Sequence, residues 1–118
     1  MKNFRELVVW KKSIAFVVRI YEVTRSFPSV ERYNLVAQMQ RAATSIPSNI
    51  SEGAGRNSNK SFKNFLTISI GSAHELETQI IISNKLAYLN NPDCESLIAD
   101  LTEIQKMLYK LHGVLNDD

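Results

Sequence analysis

The sequence predicts an all-α protein: an antiparallel up-down-up-down four-helix bundle. Three observations predict it. Apolar residues recur at alternating spacings of three and four in four stretches of about 20 to 30 residues. Proline, glycine or paired asparagines interrupt the pattern between stretches and leave short connections, which favour antiparallel neighbours. No strand-like alternation of useful length, internal repeat or low-complexity segment competes with it. At 118 residues the chain is long enough for one core and too short for two, so a single domain spans 1–118.

The first helix is predicted over 7–26. Leu7, Trp10, Ile14, Val17 and Tyr21 form a coiled-coil-like seam, and Asn3 with Glu6 offers a capping box at its start. Val8, Val9, Phe16, Val18, Ile20 and Val23 lie off that seam, an excess of apolar faces that predicts a second buried surface in an oligomer. Phe27-Pro28-Ser29 breaks the helix.

The second helix is predicted over 30–52, presenting Leu35 or Val36, Met39, Ala42 or Ala43, Ile46 and Ile50. Pro47 lacks an N–H and crowds the carbonyl of Ala43, so a kink or an early end is expected there. Gly53 and Gly55 are expected to close the helix with positive φ, and Asn57-Ser58-Asn59 supplies cap candidates for the next.

The third helix is predicted over 60–89, with Phe62, Phe65 or Leu66, Ser69, Ala73, Leu76, Ile80, Ser83 and Ala87 at heptad-like spacing. Gly71 costs about 1 kcal/mol relative to Ala at mid-helix, which a close helix crossing would explain. Asn91 as N-cap and Pro92 at the first helical position open a fourth helix over 92–116. Its seam is Leu97, Leu101, Ile104, Leu108, Leu111 and Leu115.

Composition narrows the function classes. Apolar residues make up 44% and Gly plus Pro number only seven, which argues against disorder and against a turn-rich β protein. Cys94 is alone, so no intrachain disulfide or cysteine-based zinc cage can form. Lys11 and Lys12 interrupt the apolar run after Trp10, no segment approaches bilayer length, and a cytoplasmic protein with no membrane role is expected.

Charge is unevenly distributed. Residues 1–63 hold eleven Lys and Arg against four acids, a net +7, whereas residues 64–118 hold three against eight, a net −5. In the predicted topology the start of helix one, the loop after helix two and the end of helix four share a pole. There Lys2, Arg5, Lys11 and Lys12 approach Arg56, Lys60 and Lys63. A helix N-terminus and loop amides add a preference for phosphate. Glu52, Asp117 and Asp118 at the same pole weaken the field.

A second pattern is polar. Arg41, Ser45 and Asn49 recur every four residues, facing Ser72, Glu75 and Gln79 on the antiparallel third helix. The expectation is an interhelical network in which Arg41 pairs with Glu75 and fixes register; a polar pocket or subunit contact is the alternative.

Catalytic arrangements are mostly absent. His74 and His112 belong to no His-Glu-x-x-His or Glu-x-x-His motif, and no Arg precedes either at the four-to-six spacing of small helical ribonucleases. Gly53-Ala54-Gly55-Arg56 lacks the Lys-Ser/Thr and the strand of a phosphate loop. Cys94, in the first turn of helix four, has no partner for nucleophilic work. No catalytic residue, metal or cofactor is expected, and His74 reads as a helix-surface side chain.

Several stretches together carry a resemblance: Phe4, Leu7 and Trp10; Phe27-Pro28 with Glu31; Tyr33-Asn34-Leu35 and Gln38; and Arg41 through Arg56. Phe62, Phe65 and Leu66, then Gly71-Ser72 and Glu75-Leu76-Glu77-Thr78-Gln79, complete it. This pattern resembles the 23S rRNA intervening-sequence protein family, also called four helix bundle proteins. Asn49-Ile50-Ser51-Glu52-Gly53 stands where similar proteins show alanine before the glutamate. Gln40-Arg41 stands where they commonly show two arginines. The family name records a genomic location. The resemblance extends to the accessory protein of diversity-generating retroelements, a pentameric barrel that binds nucleic acid and a reverse transcriptase. It implies a ring-like homopentamer with a basic surface.

The expectation is therefore a non-enzymatic, oligomeric RNA- or DNA-binding accessory protein. Arg5, Lys11, Lys12, Arg56, Lys60 and Lys63 would contact phosphates, reading shape and charge because no interleaving of aromatic and basic residues suggests base readout. The alternative is a scaffold that binds another protein and no nucleic acid.

Overall fold

The structure, a computed structural model, describes residues 3–116. Four helices, α1 (Val8–Thr24), α2 (Leu35–Ala54), α3 (Asn59–Lys85) and α4 (Asn91–Val114), follow one another, with short 3-10 turns at Phe4–Glu6 and Ser29–Glu31. No strand occurs among the described residues. Each helix packs on two neighbours: α2 on α1 and α3, α4 on α3 and α1, leaving α1 and α3 on a diagonal. Cross-helix bonds give the directions. Lys12 reaches Glu103 while Arg19 reaches Asp100 and Ser96; Ser45 meets Ser72 while Met39 meets Ser83; His74 meets Tyr109 while Glu77 meets Gln105. Rising numbers on one helix meet falling numbers on the next, so these neighbours are antiparallel. The bundle is 46 Å long.

The core forms where the apolar seams converge. Ile20, Met39, Ile46, Ile50, Leu66, Leu76, Ile80, Leu97, Leu101, Ile104 and Leu108 are all essentially inaccessible to water. At roughly 25 cal/mol per Å² of apolar surface removed from water, such side chains supply the main stabilisation. The seams expected on α2, α3 and α4 are largely the buried ones, with Gln79 and Gln105 added, Ala87 excluded, and Leu111 and Leu115 only partly buried at the end of α4.

On α1 the expected seam is displaced. The side chains in the core are Val9, Ser13, Phe16, Ile20 and Thr24. Leu7, Trp10 and Val17 are only partly buried, and Ile14 and Tyr21 are exposed. The displacement has a physical reason. Ser13 and Thr24 satisfy their hydroxyls on the carbonyls of Trp10 and Ile20, so two polar residues enter the core without an unpaired group. A purely apolar pattern passes over them. Of the heptad-spaced stripe, Ile14 and Tyr21 are left on the outer side of α1.

Several local expectations are corrected. Asn3 accepts from the Arg5 N–H and caps the 3-10 turn rather than α1, which starts at Val8 with no side-chain cap. The second helix begins five residues later than expected because 28–34 is taken up by the 3-10 turn and Asn34. Pro47 does not end it; α2 continues through Pro47 to Ala54. Neither Gly53 nor Gly55 has positive φ. Gly53 is required by proximity instead: a Cβ there would lie 2.7 Å from Phe65 Cβ and 2.8 Å from Phe62 Cδ1. Gly71 faces open space, so no close crossing within the subunit accounts for it.

The end of α3 falls at Lys85, not 89. Ala87 takes the left-handed conformation (φ 64°), Tyr88 N–H bonds the Ser83 carbonyl and Ala87 N–H bonds that of Asn84. This is the Schellman stop, here with alanine where glycine is usual. Asn90, one residue before the expected cap, accepts from Asp93 N–H and starts α4. At this end Glu31 ties the two loops together. Its carboxylate accepts from Tyr88 OH at 2.9 Å and from Asn34, and lies 3.4 Å from the Leu35 N–H at the start of α2. That bond to Glu31, first among the causes, holds the Tyr88 hydroxyl above its ordinary pKa.

Candidate nucleic-acid interface

The cations at the first pole are positioned by the first 3-10 turn, α1, the α2–α3 connection and α3. Arg5 lies on the 3-10 turn before α1, which packs against α2, and its guanidinium stacks 4.9 Å over the Phe4 ring. Lys11 is exposed in the first turn of α1. Arg56 lies in the short α2–α3 connection, with Lys60 and Lys63 in the first two turns of α3, whose N-terminus Ser58 caps through Ser61 N–H. Lys2, Asp117 and Asp118 lie outside the described residues.

Among the expected phosphate ligands, Lys12 and Arg56 meet acids. Lys12 pairs with Glu103 at 2.6 Å, which raises its pKa through the hydrogen bond first and the charge second. This pair bridges α1 to α4, and Arg19 repeats the bridge two turns on by pairing with Asp100 and Ser96. Lys12 thus points along the α1–α4 junction. Arg56 lies 4.8 Å over the Phe65 ring and 3.6 Å from Glu52, both groups well exposed. Such an exposed pair is worth little and leaves the guanidinium able to change partners.

One cation was missed. Lys110 lines, with Leu7, Val8, Val9, Met107, Leu111 and Val114, a groove of about 320 Å³ between the start of α1 and the end of α4. The signal available in the sequence was the antiparallel alignment of those two ends. Positive charge is also not confined to this pole. Arg25, Arg32 and Lys85 stand at the opposite one, and Arg41 lies on the side of α2.

The polar stripes meet as a network, but not through Arg41 and Glu75. Ser45 and Ser72 hydroxyls are 2.8 Å apart, and Asn49 donates to the Ser45 hydroxyl and carbonyl. Ser69 donates across to the Ile46 carbonyl at 2.9 Å in the buried interior. These bonds, all between α2 and α3 or within α2, hold the register. Arg41 and Glu75 line the same shallow cleft of about 190 Å³ with Gln38, Ala42, Ser45 and Ser72, yet form no ion pair among the described residues. Both are exposed, so water solvates each charge at less cost than ordering two long side chains.

His74 lies on the surface of α3, its Nε2 bonded to Tyr109 OH at 3.0 Å. Cys94 is half-buried against the core. No helix among the described residues is long and apolar enough to cross a membrane.

A family model for the 23S rRNA-intervening sequence protein matches residues 5–110. The fold is similar to the crystal structure of a protein of unknown function from the S23 ribosomal protein family of Bacteroides thetaiotaomicron. That match has a TM-score of 0.84 and 30% identity, covering 91% of this chain and 96% of that one. None of the curated proteins compared matches the chain. A family pattern spanning all four helices, together with this shared bundle, makes the chain a member of the 23S rRNA-intervening sequence protein family.

Proposed function

We propose that the protein is a non-enzymatic, self-assembling accessory protein that holds RNA or DNA by its phosphates. The observation that carries this reading is the set of cations at one pole: Arg5, Lys11, Arg56, Lys60 and Lys63, joined by Lys110 from α4. They stand on the first 3-10 turn, α1, the α2–α3 connection, α3 and α4, around loop amides and a helix N-terminus, opposed by Glu6 and Glu52. Such a surface reads charge and shape rather than bases.

Self-assembly is supported by two exposed stripes: Val8, Ile14 and Val18 on α1, and Ile68, Gly71, Glu75 and Ile82 on α3. A mid-helix glycine facing open space gains a reason if another chain approaches it. Resemblance to the retroelement accessory protein suggests a ring of five, in which the basic poles would be multiplied. The same stripes favour the second reading, a scaffold for a different protein.

Filter binding to a structured RNA across a salt series separates the two. Nucleic-acid binding should weaken steeply with salt, each phosphate contact adding about −0.9 to the logarithmic slope. Replacing Arg56, Lys60 and Lys63 together with Ala should abolish it while the far-ultraviolet helical signal is retained. Failure to bind at low salt would leave the scaffold.

A further inference from the structure

We propose that the cleft at the opposite pole, between the end of α1 and the start of α2, is a nucleotide-binding site that grips a phosphate between Arg25 and Arg32. The cleft measures about 390 Å³ and is walled by Tyr21, Arg25, Ser29, Arg32 and Gln40 over a floor that includes Phe27 and Val36. No carboxylate lines it. Arg19 and Arg56 each pair with an acid, whereas Arg25 and Arg32, like Arg5 and Arg41, have no ion pair among the described residues; only Arg25 and Arg32 share one cleft. Two exposed guanidiniums thus line one cleft that has no acid among its walls, a charge arrangement that suits an anionic ligand.

The surrounding groups sharpen the ligand's class. Thr24 spends its hydroxyl on the Ile20 carbonyl, but the Tyr21 and Ser29 hydroxyls and the Gln40 amide have no hydrogen-bond partner among the described residues. Guanidinium forks suit the several oxygens of a phosphate. The half-exposed Tyr21 ring (42%) offers a flat face for a base, and sequence-tolerant stacking beside cations is how single-stranded nucleic acids are held. Phe27 and Val36 are buried and give the cleft a fixed apolar floor. The volume falls in the range of sites for small ligands. The position is held by the α1–α2 turn, which Glu31 fastens to Tyr88 from the other side.

This site is separate from the basic pole. The two stand at opposite ends of a molecule 46 Å long, and neither reading depends on the other. A free mononucleotide and the 5′ end of a strand carry the same unit, so both are tested.

The test is an amide NMR titration of the full chain with AMP, adenosine, inorganic phosphate, and a short oligonucleotide with or without a 5′ phosphate. AMP should shift amides at Tyr21, Arg25, Arg32 and Gln40 saturably, with adenosine and phosphate each weaker by about tenfold or more. The double variant Arg25→Ala/Arg32→Ala should lose about tenfold in affinity or more. Arg25→Gln/Arg32→Gln serves if the first is unfolded, as judged from its spectrum. Arg56→Ala/Lys60→Ala should leave AMP binding unchanged. A preference of the phosphorylated over the unphosphorylated oligonucleotide, at AMP-like affinity or tighter, makes a strand end the ligand; AMP binding without it makes the ligand free. The proposal is overturned if AMP produces no saturable shift at the cleft, or if the arginine variants bind it as well. Phosphate matching AMP, an adventitious ion only, overturns it too.

Discussion

Adding a single methyl group at Gly53 and at Gly71 tests the packing of α2 against α3, because the same change meets opposite surroundings. In a helix interior Gly→Ala gains about 0.8–1 kcal/mol from backbone entropy and shielding. At Gly71 a new Cβ meets nothing within 4 Å, so the isolated subunit should keep the whole gain. For a chain of this size about 1 kcal/mol raises the melting temperature by roughly 4 °C. At Gly53 the new Cβ would lie 2.7 Å from Phe65 Cβ, an atom fixed to the α3 backbone that no rotamer change can withdraw. It would also meet Phe62 Cδ1 at 2.8 Å and the Phe62 carbonyl at 3.2 Å. The helices must separate, and overpacking of this kind costs about 1–3 kcal/mol beyond any propensity gain. Gly53→Ala should therefore be destabilised relative to wild type and Gly71→Ala stabilised. Urea denaturation at low, matched protein concentration reads both midpoints, and concentration must be matched because assembly shifts apparent stability. If Gly53→Ala proves as stabilising as Gly71→Ala, the close approach of α2 to α3 at that point is wrong.

Other substitutions probe separate features. Ala87→Gly relieves a left-handed alanine and should stabilise the subunit by about 1 kcal/mol, read from the same denaturation curves. Ile14→Glu on α1, or Ile68→Glu on α3, should leave the helical signal intact yet reduce the mass seen by light scattering on a sizing column. An unchanged mass for both would remove the stripes from any interface. The Tyr88 pKa is raised on folding, so its contribution is present below pH 10 and lost as pH rises through the elevated value. Alkaline titration of stability should show a shallower fall for Tyr88→Phe than for wild type. Lys12 is raised by Glu103 in the same direction, so Glu103→Gln should also flatten the loss above about pH 10.5.

Much of the molecule is decided by residue types in local order. The four helices, their antiparallel course and the cores of α2, α3 and α4 follow from apolar spacing and from stop signals such as Asn90-Asn91-Pro92. So does the gathering of Arg5, Lys11, Arg56, Lys60 and Lys63 near one end, because antiparallel connectivity alone brings those segments together. The chain's length of 118 residues and its apolar periodicity suffice for this, since burying one face of each segment has few solutions.

What the tertiary structure alone decided concerns faces and partners. Sequence spacing pointed to the Leu7-to-Tyr21 seam on α1, and packing buried instead the side holding Ser13 and Thr24, whose hydroxyls turn back onto their own helix. It gave Gly53 its role through Phe62 and Phe65, removed any such role from Gly71 within the subunit, and left Arg41 and Glu75 apart. It drew Lys12 to Glu103 and set Arg25 beside Arg32 in an acid-free cleft. Each of these depends on distances across helices, and a one-dimensional pattern fixes which residues are apolar without fixing how far a neighbouring backbone lies from them.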